Sequence, residues 1–370
     1  MAKTGVIFGG PSPEHDISIL TGLQVVRRLT PTRDVVALYW SKTGDWYSVP
    51  TTLEAGDFLE GVPRGASFVH LTAGAEGGFL VPKKGPLGKS GMFDVDVAVN
   101  CCHGAPGEDG SLQGCLDLAG ITYTGPTSTA AAFGMDKLAF HGAMSAAGLP
   151  ALGRSLLNDE TKDLGFSGPY LVKPRFGGSS IGIEIVDSLE TARDLLKSSP
   201  HLRSGAVIES YRPQSFDLNV AVRLWPEPQL SAIEKPIRSP GDRSHILGYA
   251  DKYLGGEGMV SAPRELPATL EAKQEQDLRE MAFEVAKICN VRGIQRIDFL
   301  SDGGELFVNE INTIPGSLAK YLWVDPIVDF GDLLEAMIEE AKCRPSANWT
   351  TSGADGSALR SAGSIAGKLA

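Results

Sequence analysis

Three side chains late in the chain have the types and spacing to hold a cation. In the stretch GIQRIDFLSDGGELFVNEINTIPG, residues 293–316, Asp298 sits in one apolar run, and Glu310 and Asn312 close a second. Ile297, Phe299 and Leu300 face Leu306, Phe307 and Val308 across Ser301-Asp302-Gly303-Gly304, so the stretch predicts a β-hairpin. Alternation puts Glu310 and Asn312 on one face, and the hairpin can bring Asp298 against it. Three oxygen donors beside Arg296 suit Mg²⁺, which keeps waters and takes further ligands from substrate phosphates. The competing reading is a solvated acidic hairpin end. The Asn-Thr-Ile-Pro-Gly that follows favours a site, because a rigid turn there lets backbone approach a ligand.

Other Gly-rich loops lie at strand ends. The strand Gly5-Val6-Ile7-Phe8 runs into Gly9-Gly10-Pro11-Ser12-Pro13-Glu14-His15-Asp16 and then a helical pattern at Ile17, Leu20, Val25 and Leu29. This is the opening of a βαβ unit, and ligands bind beyond the carboxyl ends of such strands, which suits Glu14. Its alternative role is an acid favoured by the helix dipole. The alternating strand 93–99 delivers a second such loop, Cys101-Cys102-His103-Gly104-Ala105-Pro106-Gly107-Glu108-Asp109-Gly110. Lys173 ends the strand 170–174 and leads into Arg175-Phe176-Gly177-Gly178-Ser179-Ser180-Ile181-Gly182. Such a loop can fold over phosphate with N–H donors and hydroxyls, or be a plain hairpin loop. It is not a Walker A motif, since no G-K-[ST] ends it.

The elements that must position these residues follow in order. A strand at 35–40 and a hairpin at 41–46 come first, then a Gly-rich irregular segment with short strands over 50–90. A short helix at 112–119 and an edge strand at 121–124 close an open α/β sheet near residue 125. Helices are expected at 135–147, at 189–196 behind an Asp187 or Ser188 cap, at 269–289 and at 332–342. Strands at 206–210, 217–223 and 234–237 have no helices between them, which implies an antiparallel sheet. The polar segment 241–258, with Asp251-Lys252-Tyr253-Leu254, reads as a mobile lid. Residues 344–370, rich in Ser, Ala and Gly, read as a loosely attached tail.

Bulk composition excludes several classes. The 370 residues are 42% apolar and 21% charged, enough for two or three domains with ordinary cores. A net charge of −11 argues against a nucleic-acid surface. The five cysteines, Cys101, Cys102, Cys115, Cys289 and Cys343, are odd in number and form no C-x-x-C, so neither a disulfide framework nor a zinc site is indicated. No signal-peptide pattern opens the sequence and no run of about 18 apolar residues occurs, so no membrane partner is expected and the cytoplasm is the expected location.

A lid with Lys, a strand-end Lys, a Gly/Ser loop and a metal hairpin together suit a nucleoside triphosphate held between two α+β halves. In order, FGGPSPEHDIS, HGAPGEDGSLQG, GMDK, VKPRFGGSSIG, DKY and RIDF…NEINTIPG resemble the D-alanine–D-alanine ligase family of the ATP-grasp superfamily over about residues 4–342. The resemblance implies a small open parallel α/β N-terminal domain (1–125) that binds substrate. A two-part ATP-grasp fold with antiparallel sheets follows, with a central subdomain (126–212), a C-terminal subdomain carrying the metal site (213–343) and a tail (344–370). It implies a ligase that makes a dipeptide for cell-wall peptidoglycan through an acyl phosphate, with ATP as co-substrate, two Mg²⁺ (Mn²⁺ as substitute), amino-acid substrates and a homodimer.

Carried over residue by residue, Glu14 would bind the ammonium of the first amino acid, with His103 near its carboxylate. Glu14, Ser179 and Tyr253 would form a hydrogen-bonded triad that ties the lid shut. Lys137, Lys173 and Lys252 would contact phosphates, Glu209 the adenine and Asp217 the ribose. Asp298, Glu310 and Asn312 would hold the metals, and Arg296 and the Gly316 N–H would stabilise the oxyanion. One segment departs from the family. After the Pro-Gly turn its members carry a Ser-Leu pair that contacts the carboxylate of the second D-alanine, whereas Tyr321 and Leu322 stand there in this chain. Lys320 offers an alternative carboxylate partner. The departure raises a second possibility, a related ligase with a different amine substrate that serves a specialised metabolite.

Overall fold

The computed structural model describes residues 3–83, 90–237, 263–347 and 349–368. Its first sheet has the order β6-β5-β4-β3-β2-β1-β7. These strands are β1 (Lys3–Gly9), β2 (Val35–Trp40), β3 (Trp46–Val49), β4 (Ser67–Thr72), β5 (Gly78–Val81), β6 (Gly91–Met92) and β7 (Val95–Asn100). β2 and β7 flank β1 in parallel, and β3 to β6 extend the sheet antiparallel. The sheet is therefore mixed, with its parallel part at the strands that carry the loops. Val6, Ile7 and Phe8 are fully buried, as expected of a strand covered on both faces. The Gly-rich segment expected to hold short strands over 50–90 supplies β4 and β5. The edge strand expected at 121–124 is only an isolated bridge between Tyr123 and Ala98.

Helix α1 (His15–Leu29) covers one face of the first sheet through Ile19, Val25, Val26 and Leu29. That core continues into Leu318, Ala319 and Leu322 and into Leu333, Leu334 and Ile338. Helix α2 (Ser111–Leu118) follows β7. The helix expected at 135–147 is α4 (Lys137–Ala146), and a further helix that the sequence did not announce, α3 (Ser128–Met135), precedes it. Asp136 breaks them apart, because its extended backbone and carboxylate cap the N–H groups of Leu138 and Ala139.

The second sheet, β10-β9-β11-β8, consists of β8 (Arg154–Leu157), β9 (Tyr170–Pro174), β10 (Glu184–Val186) and β11 (Ala206–Ser210), all antiparallel. Helix α5 (Leu189–Ser198) packs on it, capped by Ser188, whose Oγ accepts from the Thr191 N–H at 3.1 Å. The third sheet, β14-β13-β12-β15-β16, consists of β12 (Phe216–Arg223), β13 (Gln229–Pro236), β14 (Arg264–Glu265), β15 (Gln295–Ser301) and β16 (Leu306–Asn312), also antiparallel. Helix α6 (Ala272–Ile288) buries Leu278, Ala282, Val285 and Ala286 against it. Helix α7 (Phe330–Cys343) returns to the core of the first sheet.

Candidate active site

The hairpin expected at residues 293–316 is β15 and β16. Asp298 pairs with Glu310 and Arg296 with Asn312, so all four side chains share one face. The register shifts just after Asp298, which places Asn309 as the extra residue of β16. Arg296 donates from Nε and Nη2 to the two Asp298 oxygens at 2.6 and 2.7 Å, and Asn312 Nδ2 donates to Asp298 Oδ2 at 2.9 Å. Burial works against the Arg296 charge, but Asp298 and Tyr321 more than offset it and hold the guanidinium firmly protonated. Lys137, at the start of α4, donates to the Gly177 carbonyl at 2.6 Å and lies 3.4 Å from Glu310 Oε2.

Among the described residues, no three His, Cys, Asp or Glu side chains gather to hold an ion. Two carboxylates and an amide on one hairpin face instead fit a hard cation that completes its shell with phosphate oxygens and water. Asp298, Glu310 and Asn312 line a central cleft together with Lys137, Lys173, Glu209 and Asp217.

The opposite wall of the cleft comes from the second sheet. Lys173 at the end of β9 donates to Glu209 Oε2 at 3.0 Å, while Arg154 Nε donates to Oε1 at 2.8 Å. Burial alone would raise Glu209, but Arg154 and Lys173 outweigh it and keep its carboxyl below the usual range. Arg154 also reaches the Lys137 carbonyl at 2.8 Å and the Asn309 carbonyl at 3.3 Å, which ties β8, α4 and β16 together. Sequence reasoning missed Arg154. Its signal is its register opposite Glu209, which exists only once β8 and β11 are paired. In the Gly/Ser loop, Ser179 and Ser180 adopt left-handed backbone, φ 51° and 59°, and Ser179 Oγ donates to Glu14 Oε1. Two of the three expected triad members thus meet.

Glu14, His103, Arg296 and Gly316 line a recess that shares Lys137, Glu310 and Asn312 with the cleft. His103 is buried, and its Nδ1 lies 2.7 Å from the Ile314 carbonyl. A carbonyl can only accept, so Nδ1 carries the proton and Nε2 accepts from the Thr21 hydroxyl at 2.8 Å. Thr21 Oγ1 in turn accepts from the Ser317 N–H at 3.1 Å. Burial holds the imidazole down to about 4, so it is neutral at pH 7. Glu108, which the sequence reading quoted but did not single out, accepts from the N–H groups of Gly104 (3.0 Å) and Ile314 (2.8 Å) and from the Thr313 hydroxyl (3.2 Å). Burial, then Glu14, pushes its carboxyl up to about 7. These bonds fasten α1 and the loop after β7 to the turn after β16.

The remaining candidates divide. Lys252 and Tyr253, with the lid expected over 241–258, lie outside the described residues. Lys320 and Leu322 are not brought into the cleft. The Lys320 ammonium lies 5.1 Å over the Phe330 ring in a separate outer groove beside α1, and Leu322 is fully buried in the first core. The Tyr321 hydroxyl lies 3.4 Å from Arg296 Nη1, but its ring is covered by Arg264, whose Cζ is 4.7 Å from the ring centroid. Arg264 itself lines the cleft.

Known proteins resemble this chain in sequence and fold. The family model described as "D-ala D-ala ligase N-terminus" matches residues 3–126, and "D-ala D-ala ligase C-terminus" matches residues 132–339. The D-alanine–D-alanine ligases of Rhodococcus jostii (strain RHA1) and Nocardia farcinica (strain IFM 10152) are each 33% identical over 364 residues, covering 92% of this chain and 97% of the relative. Among solved structures, the VanG D-Ala:D-Ser ligase from Enterococcus faecalis superposes with a TM-score of 0.74 at 25% identity, covering 92% of this chain and 99% of that one. The D-alanyl-alanine synthetase A from Vibrio cholerae has the same fold, with a TM-score of 0.75 at 22% identity over 93% and 100% of the two chains. Family models match both halves and relatives match along nearly their whole length, so the chain belongs to the D-alanine–D-alanine ligase family.

Proposed function

We propose that the protein is an ATP-dependent ligase that joins two D-alanine molecules for cell-wall precursor synthesis. The observation that carries this reading is a convergence on one cleft. A carboxylate from the first sheet (Glu14), lysines (Lys137, Lys173) and an oxygen-rich hairpin end (Asp298, Glu310, Asn312) face a common space. The carboxylate of the first amino acid attacks the γ-phosphorus of ATP and expels ADP, and the amine of the second then attacks the acyl phosphate carbon, losing a proton and displacing inorganic phosphate. Carboxylate and triphosphate repel one another, so the site must supply positive charge. Lys137, Lys173 and Lys252 serve the phosphates, Glu209 the adenine and Asp217 the ribose. Glu14 takes the first ammonium beside His103, and Tyr253 with Ser179 and Glu14 closes the lid. Arg296 and the Gly316 N–H hold the oxyanion. Asp298, Glu310 and Asn312 would bind two Mg²⁺, which neutralise the triphosphate.

The curated relatives are named for D-alanine, so the alternative with another amine for a specialised metabolite is not favoured. A homodimer working in the cytoplasm, where ATP is supplied, completes the proposal, and light scattering tests the dimer. We place the divisions of labour at 1–125, 126–212 and 213–343. Phosphate release from ATP that requires D-alanine, with D-alanyl-D-alanine identified by mass, tests the central claim, and no release with pure D-alanine would sink it. Asp298→Ala is expected to lower turnover by more than about a hundredfold. Full turnover in that variant would show the metal site to be elsewhere.

A further inference from the structure

The second amino acid brings its own carboxylate, which needs a cation that is not already in use at the phosphates. Lys320 points away from the cleft and over Phe330. Tyr321 does not line the cleft either, because Arg264 covers its ring. Lys137 is engaged by the Gly177 carbonyl and Lys173 by Glu209, on the reading above beside the phosphates, and Arg296 is held in a fork by Asp298. Among the described residues, the cation that both lines the cleft and adjoins the Tyr321 segment, apart from Arg296, is Arg264.

Arg264 is also a built group rather than a loose surface arginine. Its Nη1 lies 2.8 Å from Glu234 Oε1, with side-chain exposures of 12% and 5%. Glu234 is itself fixed by Asn219 Nδ2 at 3.0 Å. The guanidinium plane rests on the tyrosine ring, a cation–π contact, and the tyrosine hydroxyl is 3.4 Å from Arg296. One tyrosine thus sets the position of two arginines on the same wall.

On the reading that the chain ligates two D-alanines, we propose that Arg264 binds the carboxylate of the second amino acid, with Tyr321 and Glu234 as the residues that position it. A guanidinium matches a carboxylate with two parallel N–H donors, which fixes the direction of the incoming amine as well as its affinity. The larger residue at 321 then does not abolish the acceptor contact. It moves that contact from position 321 itself to the arginine stacked on it.

The test is a competition. Enzyme, ATP and D-alanine are mixed with D-alaninamide, whose amine can attack but which has no carboxylate. The ratio of D-alanyl-D-alanine to D-alanyl-D-alaninamide is read by mass. Wild type is expected to favour D-alanine, and Arg264→Gln is expected to shift the ratio toward the amide by roughly ten- to hundredfold. Arg264→Lys, which keeps the charge but not the fork, should shift it several-fold in the same direction. Tyr321→Leu should do likewise, with the KM for ATP unchanged. A ratio unmoved by Arg264→Gln overturns the inference while the ligase reading stands. Loss of both products in both Arg264 variants also overturns it, since Arg264 would then serve the fold or the ATP step. Absence of any dipeptide from wild type overturns the ligase reading and this inference with it.

Discussion

At the scale of single residues, Glu108 and His103 sit in the same recess with opposite proton preferences. Burial and Glu14 push Glu108 from 4.5 up to about 7, so the folded protein holds this proton more tightly than the unfolded chain. Its contribution to stability is full below pH 4.5 and is lost as pH rises toward 7. Burial holds His103 down from 6.5 to about 4, so its contribution is full above pH 6.5 and is lost on acidification toward 4. Between 4.5 and 6.5 the two slopes oppose each other. Glu108→Gln removes one of them. The substitution should therefore cost up to about 3 kcal/mol more at pH 4.5 than at pH 7, whatever its fixed cost in lost hydrogen bonds. Urea melts across this range measure the difference. A cost that does not change with pH would show that Glu108 titrates as an ordinary carboxyl.

At the scale of elements, the seating of α1 on β1 depends on one missing side chain. A Cβ on Gly22 would lie 2.4 Å from Phe8 Cβ and Cγ, and both residues are buried. Gly22→Ala must push the helix off the strand, at an expected cost of about 1–3 kcal/mol read as a shift in the denaturation midpoint. Because α1 also carries Thr21 to His103 and Ser18 to the His103 N–H (2.8 Å), the KM for the first amino acid should rise with it. An unchanged midpoint would show that the packing relaxes freely.

The elements also show what could be read in advance. The metal-type hairpin was legible because turn residues and alternation agree at Ser301–Gly304 and at Glu310 and Asn312, and the observed register bears that pairing out. The turn after it was not. Ser317, Leu318 and Ala319 all adopt left-handed backbone at φ 51°, 49° and 52°, which no local preference for these residue types announces. Tertiary contacts impose it, since Leu318 and Ala319 are buried and the Ser317 N–H is bound by Thr21. For the same reason the side chains of 320–322 landed where spacing alone did not put them. Arg264 escaped notice because its value lies in what it stacks on.

At the scale of the whole molecule, the first and third sheets must keep the recess proposed for the first amino acid aligned with the hairpin. Residues 349–368 add little to this, since none is buried. Deleting them should leave melting temperature and turnover within error of wild type, and a clear loss of either would reveal a function for the tail. The joint itself centres on buried Arg292. It donates to the carbonyls of Tyr123 (2.6 Å), Gly125 (2.7 Å) and Arg344 (2.9 Å), while the adjacent Gly293 N–H reaches Glu340 at 2.6 Å. One side chain thus links the end of the first sheet, the end of α7 and the approach to β15. Arg292→Ala strips the carbonyls of Tyr123, Gly125, Ala341 and Arg344 of a charged donor at once, so a loss of roughly 3 kcal/mol or more is expected. The variant that remains folded should also bind its amino acids worse than its ATP. Glu14 and His103 come from the loops after β1 and β7, whereas the described residues assigned to ATP come from α4 and the second and third sheets. A rise in the KM for D-alanine well beyond that for ATP is the expected signature. Equal rises would mean that the joint holds the protein together without aligning its two substrate sites.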